Sequence, residues 1–431
     1  MRRLGTRKLH YAWIIAFTGL LITGGGVGIF NTSIGVFIKP VCDDLGFLRG
    51  QFSLYTSIAF IVSVLLMPLF GSLFKRFGFR RLAVTGATTC GLVLFSYSFV
   101  SELWQFYLLA FISGLFVNGV GMMAVGILIN NWFTDRRGLA TGIAFSGSGL
   151  LAAALVPMAN RFIELFGWRW TYRFFSCVSL FILIPIILFI VKDNPEDIGL
   201  EPYSLDEEKK AGHEDGDHQD GSALNAGLAR KETLHTRTFW LLSIAIMGVG
   251  LCQAGPHIHT ISFLNDIGYS MAFASVVSST YLIFLTLFKV IMGLVLDRLG
   301  SLKGSLLIGL SCVLFPIFAL FAGLPVFPWI YAFALGLASS GSTILGPILT
   351  ANYFGRKNFS KIYSLVSMIA FIGIAISPPA YGSIFDVTGN YSLAWILTIG
   401  LGIVVCLCFI LADRESKYIF IMAPKDMVNK T

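Results

Sequence analysis

GSLFKRFGFRRL at residues 71–82 and GLVLDRLGSLKG at residues 293–304 are one phrase written twice, with Gly71 and Gly78 recurring 222 residues later as Gly293 and Gly300. NWFTDRRGLATGIAFSG (131–147) aligns with NYFGRKNFSKIYSLVSM (352–368) at an offset of 221, and FGWRWTY (166–172) with TGNYSLA (388–394) at 222. A nearly constant interval over this much chain marks an internal duplication. What is duplicated follows from the flanks: each copy of the phrase lies between two long apolar blocks.

The blocks are long enough to cross a bilayer, which takes about 20 predominantly apolar residues in a helix. The 431-residue chain is 56% hydrophobic and 13% charged, where a soluble domain carries about 25% charged residues. Twelve spans are expected, at 11–38, 50–74, 82–101, 104–132, 138–160, 170–191, 238–264, 272–296, 303–323, 326–352, 360–385 and 391–412. With six per copy, both copies face the same way. The expected fold is therefore an all-α membrane protein of twelve transmembrane helices arranged as two parallel six-helix repeats. Such repeats place a substrate site at their interface near the midplane, reached by rocking of the halves.

The net charge of +8 does not point to nucleic acid, because its location is a topology signal. One set of short loops with the N-terminus holds fifteen Lys/Arg, the opposite set only Lys39, Arg49, Arg161, Arg169 and Arg173. That bias predicts a multi-pass cell-membrane protein with both termini cytoplasmic. The basic start MRRLGTRKLH leads into an apolar stretch too long for a cleaved signal, so it reads as the first span. The domains expected are a six-helix bundle at 1–191, a flexible cytoplasmic linker at 192–236, a second bundle at 237–412 and a cytoplasmic tail at 413–431. The linker is acidic, polar and Gly-rich, a composition that cannot bury a core. Seven scattered cysteines without metal spacing read as packing residues. No catalytic triad, carboxylate pair, metal cluster or cofactor motif is present in the sequence, and GGGVG (24–28) lies inside a span with no strand before it. An enzyme is not expected.

The duplicated loops resemble the G-x-x-x-D-R-x-G-R-[KR] signature of the major facilitator superfamily. The second copy keeps Gly293, Asp297, Arg298 and Gly300; the first keeps Gly71, Arg76, Gly78, Arg80 and Arg81, but has Lys75 where the family carries Asp. The resemblance implies gating loops at these residues. A narrower one, to monocarboxylate porters and oxalate/formate exchangers, rests on NNWFTDRRGLATGIAFSGSG, GFLRGQFSLYTSI, HTISFLNDIGYS and DNPEDIGLEP.

One charge stands apart. All 23 acids fall in loops, tails, the linker or near a span end, and of 31 basic residues only Lys289 falls deep in a span. Counting back from Asp297, it lies about 12 Å into the helix at ~1.5 Å per residue. Insertion scales put a charge there at a cost of about 2.5–3.5 kcal/mol, and such residues face a protein interior or a watery cavity. Ser278, Leu282, Thr286, Lys289 and Gly293 share a helix face. Lys289 either pairs structurally with a buried acid or meets a charge brought by the substrate, and the sequence supplies no acid at that depth.

In the porters it resembles, a basic residue (usually Arg) precedes this loop by four positions and binds the substrate carboxylate, and Lys289 occupies that position. Lysine offers a point charge where arginine offers a two-bond fork. The acid one turn earlier in animal carriers is Leu285 here, the first-span lysine falls near Asn31–Thr32, and the second lysine of the oxalate exchangers falls at Ala370. A single cation suits a monoanion, which disfavours oxalate.

Inward movement of an anion against the membrane potential costs about 2.3 kcal/mol per charge per 100 mV, so uptake needs a co-transported cation or exchange. His259, or Lys289 itself, is placed to carry a proton, and His259 is also a substrate-binding candidate; its alternative is a histidine hydrogen-bonded at the membrane interface. Asn31, Asn118, Ser342 and Ser367 either line the site or bridge helices. The expected function is secondary active transport of small organic monoanions by alternating access, as symport or exchange, in a chain acting as a monomer in the lipid bilayer. The alternatives are a carrier of neutral or amphipathic compounds, and a membrane sensor that binds without transporting.

Overall fold

The computed structural model describes residues 10–32, 34–204, 230–355 and 358–422. The side chains of Asn31 and Asp297, the linker residues 205–229 and the tail from 423 lie outside the described residues.

The chain folds into two units, one from Met1–Gly46 and Ile58–Gly216, the other from Phe47–Ser57 and Asp217–Thr431. Helices α1 (Tyr11–Thr23), α2 (Gly35–Leu45), α3 (Arg49–Phe77), α4 (Phe79–Tyr97), α5 (Leu103–Phe116), α6 (Met122–Trp132), α7 (Arg137–Phe166), α8 (Trp168–Val178) and α9 (Ile184–Ile190) make the first unit, except that the first turns of α3 group with the second. The second unit adds α10 (Arg230–Leu234), α11 (Arg237–Asp266), α12 (Met271–Leu299), α13 (Ser301–Leu320), α14 (Phe327–Phe354), α15 (Phe359–Thr388) and α16 (Ser392–Met422).

Eleven stretches of helix among the described residues are long and apolar enough to cross a membrane. The remaining expected span, 82–101, is helix α4. Arg80 and Arg81 in its first turn, with Thr85, Thr88 and Thr89 behind them, lower its hydropathy, while Ala83, Ala87 and Cys90 are buried. The last span overruns its expected end, since α16 continues through Asp413 and Arg414 to Met422.

The duplicated phrase becomes a duplicated corner. Gly78 joins α3 to α4 with φ 79° and ψ 165°, and Gly300 joins α12 to α13 with φ 85° and ψ 166°. That backbone region is essentially closed to residues with a Cβ. At Gly300 an added Cβ would meet no atom within 4 Å, so Gly300→Ala isolates the backbone strain. We expect it to lower stability by about 1–3 kcal/mol, read as a lower thermal midpoint.

The expected linker is corrected at its start. Residues 192–204 are folded onto the first unit: Asn194 and Asp197 form a capping box, the Trp132 indole donates to the Lys192 carbonyl at 2.9 Å, and the Tyr203 N–H donates to the Trp132 carbonyl at 2.9 Å. Asp193 accepts from the backbone N–H of Arg80 at 2.8 Å, capping α4 beside the Gly78 corner. DNPEDIGLEP is polar because its side chains cap and turn, not because it is unstructured.

Proline shapes the second unit. Pro379 has no N–H to give the Ala375 carbonyl, and the Ser57 hydroxyl donates to that carbonyl instead. Removing it in Ser57→Ala leaves a buried acceptor open, and we expect a loss of about 1–3 kcal/mol in the unfolding free energy. In α11, Ser377 enters the helix ladder ahead of Pro256, donating to the Leu251 carbonyl at 2.6 Å and accepting from the Gly255 N–H at 2.8 Å. A side chain inserted there marks a bend, one turn from His259. The unit closes around an aromatic core of Phe263, Phe315, Tyr331, Tyr381, Tyr391 and Trp395.

Candidate functional site

Helix α12 shows which way Lys289 faces. Ile283, Leu287, Val290 and Leu294 are 43, 52, 68 and 55% exposed, a continuous apolar stripe of the kind lipid covers. Ser278, Leu282, Met292 and Leu296 on the other side are 5, 0, 1 and 4% exposed. Lys289 is half-buried and shares the second face. Thr286, one turn before it, spends its hydroxyl on the Leu282 carbonyl at 2.9 Å. A Cβ added at Gly293, one turn after it, would meet open space. Among the described residues no acid and no hydrogen-bond acceptor engages the Lys289 ammonium.

Ser342 on α14 and Ser367 on α15 line one small cavity of about 30 Å³ with Gly250, Tyr363 and Ala370, room for a water or two. Ser342 donates to the Ser339 carbonyl at 2.8 Å and so offers the cavity an acceptor. Ala370, where the exchangers' second lysine falls by resemblance, opens on the same cavity. Asn118 stands elsewhere, in the first unit. Its amide donates to the Ser63 carbonyl at 2.7 Å and accepts from the Ser63 hydroxyl at 3.1 Å, which ties α3 to the 117–119 turn. Of the loop residues, Arg76 and Arg298 are exposed, and the Arg80 guanidinium donates to the Leu188 carbonyl.

His259 is 0% exposed and is held on both ring nitrogens. Nε2 lies 3.0 Å from the Pro378 carbonyl and 3.3 Å from the Ser53 hydroxyl; Nδ1 lies 3.0 Å from the Tyr391 hydroxyl. A carbonyl only accepts, so Nε2 carries the hydrogen, and with a neutral ring Nδ1 accepts from Tyr391. The Tyr391 oxygen in turn accepts from Arg49 Nη1 at 3.0 Å.

Arg49 was legible only as an outer loop charge. It is 7% exposed, forks onto both oxygens of Asp266 at the end of α11, with the Nη2 bond at 3.0 Å, and lies 3.8 Å over the Phe385 ring. The backbone N–H groups of Arg49 and Gly50, at the start of α3, donate to the Asp386 carboxylate at 2.9 and 2.7 Å. An acid there satisfies two open helix-end donors and complements the helix dipole. Both partners of the ion pair lie in the sequence stretches GFLRGQFSLYTSI and HTISFLNDIGYS.

The profile of the Major Facilitator Superfamily matches residues 16–276 and 255–425. Among curated proteins, Monocarboxylate transporter 1 of Mus musculus is 24% identical over 417 residues, covering 89% of this chain and 81% of its own. Monocarboxylate transporter 13 of Rattus norvegicus is 24% identical over 437 residues, covering 96% and 94%. Among solved structures, a bacterial homolog of the human lysosomal transporter Spinster superposes with a TM-score of 0.69 at 16% identity, over 95% of this chain and 98% of that one.

Proposed function

The chain belongs to the Major Facilitator Superfamily, and we propose that this multi-pass membrane transporter carries small organic monoanions, with Lys289 as the anchor for the substrate carboxylate. The observation that carries the reading is a half-buried ammonium on the non-lipid face of α12 with no acid beside it among the described residues. A cation kept there without a resident counter-charge is completed by an anion that arrives and leaves. One positive charge balances one carboxylate. Ser342 and Ser367 share a small cavity that Lys289 does not line, and they stay separate candidates for contact with a substrate hydroxyl or keto group. The names of the relatives, monocarboxylate transporters, support the same class.

Net uptake of an anion needs a compensating charge, and His259 is the proposed proton carrier. A proton on Nδ1 requires the Tyr391 hydroxyl to give up its donation and turn its oxygen to the ring, beside a guanidinium bonded to the same oxygen. Proton uptake at His259 and the docking of Arg49 therefore oppose each other. Access alternates between the two membrane faces, both termini are cytoplasmic, and the functional form is a monomer.

The test is competition in proteoliposomes. Uptake of labelled lactate is expected to be inhibited by acetate, pyruvate and formate and untouched by acetamide or methyl lactate, and to rise when the acidic side faces the labelled substrate. Equal inhibition by the uncharged analogues would point to a carrier of neutral compounds. Saturable binding without accumulation would point to a sensor.

A further inference from the structure

Outside the transport site, the corner between α7 and α8 carries a binding feature of a different kind. Gly167, with φ 81°, turns the chain between the two helices. From it the helices diverge with facing i, i+4 aromatic pairs: Phe162 and Phe166 on one, Trp170 and Phe174 on the other. Phe162 and Phe174 stack at 4.5 Å, forming the floor of a wedge whose volume is about 490 Å³. Phe166 and Trp170, which line it, are 58 and 59% exposed, and Cys177, also lining it, is exposed. An exposed tryptophan at a helix corner marks the headgroup level of a bilayer.

One lining residue does not belong to an ordinary lipid-facing wall. Arg173 lies 4.5 Å from the Trp170 ring and 4.9 Å from the Phe99 ring, and its Nε donates to the Ser98 hydroxyl at 3.0 Å. The neighbouring charges at this corner are paired, Arg161 with Glu164 at 3.1 Å and Arg169 with Asp44 at 2.6 Å. Arg173 has no carboxylate among the described residues, and its two terminal nitrogens are held by no hydrogen bond among them. The rings and the Ser98 bond fix the guanidinium plane, which leaves a preset fork for an oxyanion at the mouth of an apolar wedge.

We propose that this wedge binds an anionic phospholipid, its phosphate forked by Arg173 and one acyl chain lying along Phe162, Phe166, Trp170 and Phe174. The charge is what selects the occupant. A zwitterionic lipid would fill the wedge equally well but would bring its own cation to a site that has one already. The proposal is independent of which substrate the transporter carries.

The full-length protein is reconstituted in vesicles of equal phosphatidylglycerol and phosphatidylcholine, re-extracted in mild detergent, and the retained lipid quantified by mass spectrometry. Wild type is expected to retain phosphatidylglycerol over phosphatidylcholine by about fivefold, the preference that one basic residue at an anionic headgroup confers. Arg173→Gln should return the ratio to that of the bulk, and Arg173→Lys should keep part of it. Cys177→Trp, which fills the wedge and leaves the charge in place, should lower retention of both lipids. The proposal is overturned if wild type retains the two lipids in the bulk ratio, or if Arg173→Gln or Cys177→Trp retains phosphatidylglycerol as wild type does.

Discussion

Arg49→Gln is expected to lower the unfolding free energy by about 2–4 kcal/mol, somewhat less than the ~3–5 kcal/mol that breaking a fully buried ion pair costs. The discount reflects Asp266, whose side chain keeps 19% exposure and so is re-solvated in part when its partner goes. Three further interactions are lost with the guanidinium: the stacking on Phe385, the bond to Tyr391, and through Tyr391 the fixed donor to His259. Asp266→Asn is expected to cost nearly as much, because it leaves the less exposed member of the pair buried without its counter-charge. Together the two substitutions should cost clearly less than the two losses added, with a coupling of about 1–3 kcal/mol. Thermal or denaturant unfolding of the four proteins gives the cycle directly. Strict additivity would mean that the fork contributes through shape alone. If His259 carries the proton, Arg49→Gln should also move the pH profile of gradient-driven uptake to higher pH, since the second cation beside the ring is gone.

Lys289→Gln should act in the opposite direction on stability. An ammonium near the middle of a membrane helix costs about 2.5–3.5 kcal/mol to place, and α12 offers it no acid in return among the described residues. Glutamine keeps most of the stem and loses the charge, so the variant should be equally or more resistant to heat. Uptake should fall by about a hundredfold or more, the scale of losing a charged hydrogen bond to substrate, at roughly 3 kcal/mol. Opposite signs in the two measurements separate a binding residue from a structural one. A structural lysine would lose both together.

The parts of the molecule written as pattern were the parts legible in the sequence. The repeat at 71–82 and 293–304 located two corners that share one backbone conformation, because only glycine enters it. The burial of Lys289 followed from its spacing along a regular helix, where face is set by count alone. What escaped was long-range and polar. Arg49 and Asp266 are 217 residues apart, and as an interfacial arginine and a helix-end aspartate each reads as an ordinary loop charge. Nothing local says that Ser57 completes the carbonyl left by Pro379, since the pair lies 318 residues apart. His259 was singled out, but its two-sided hydrogen bonding depends on Tyr391 and Pro378, which only the folded α15 and α16 bring to it. The polar run after residue 191 misled for a related reason: capping side chains and solvated side chains have the same composition.

Whether Lys289 holds the substrate's charge is tested by uptake of labelled formate, acetate, lactate, pyruvate and oxalate into proteoliposomes of wild type and Lys289→Gln at matched protein density. Wild type is expected to accumulate at least one monocarboxylate in preference to oxalate, and the variant, folded and inserted to the same extent, to take it up about a hundredfold more slowly, or slower still. Undiminished uptake of that monocarboxylate by Lys289→Gln would contradict that role for Lys289.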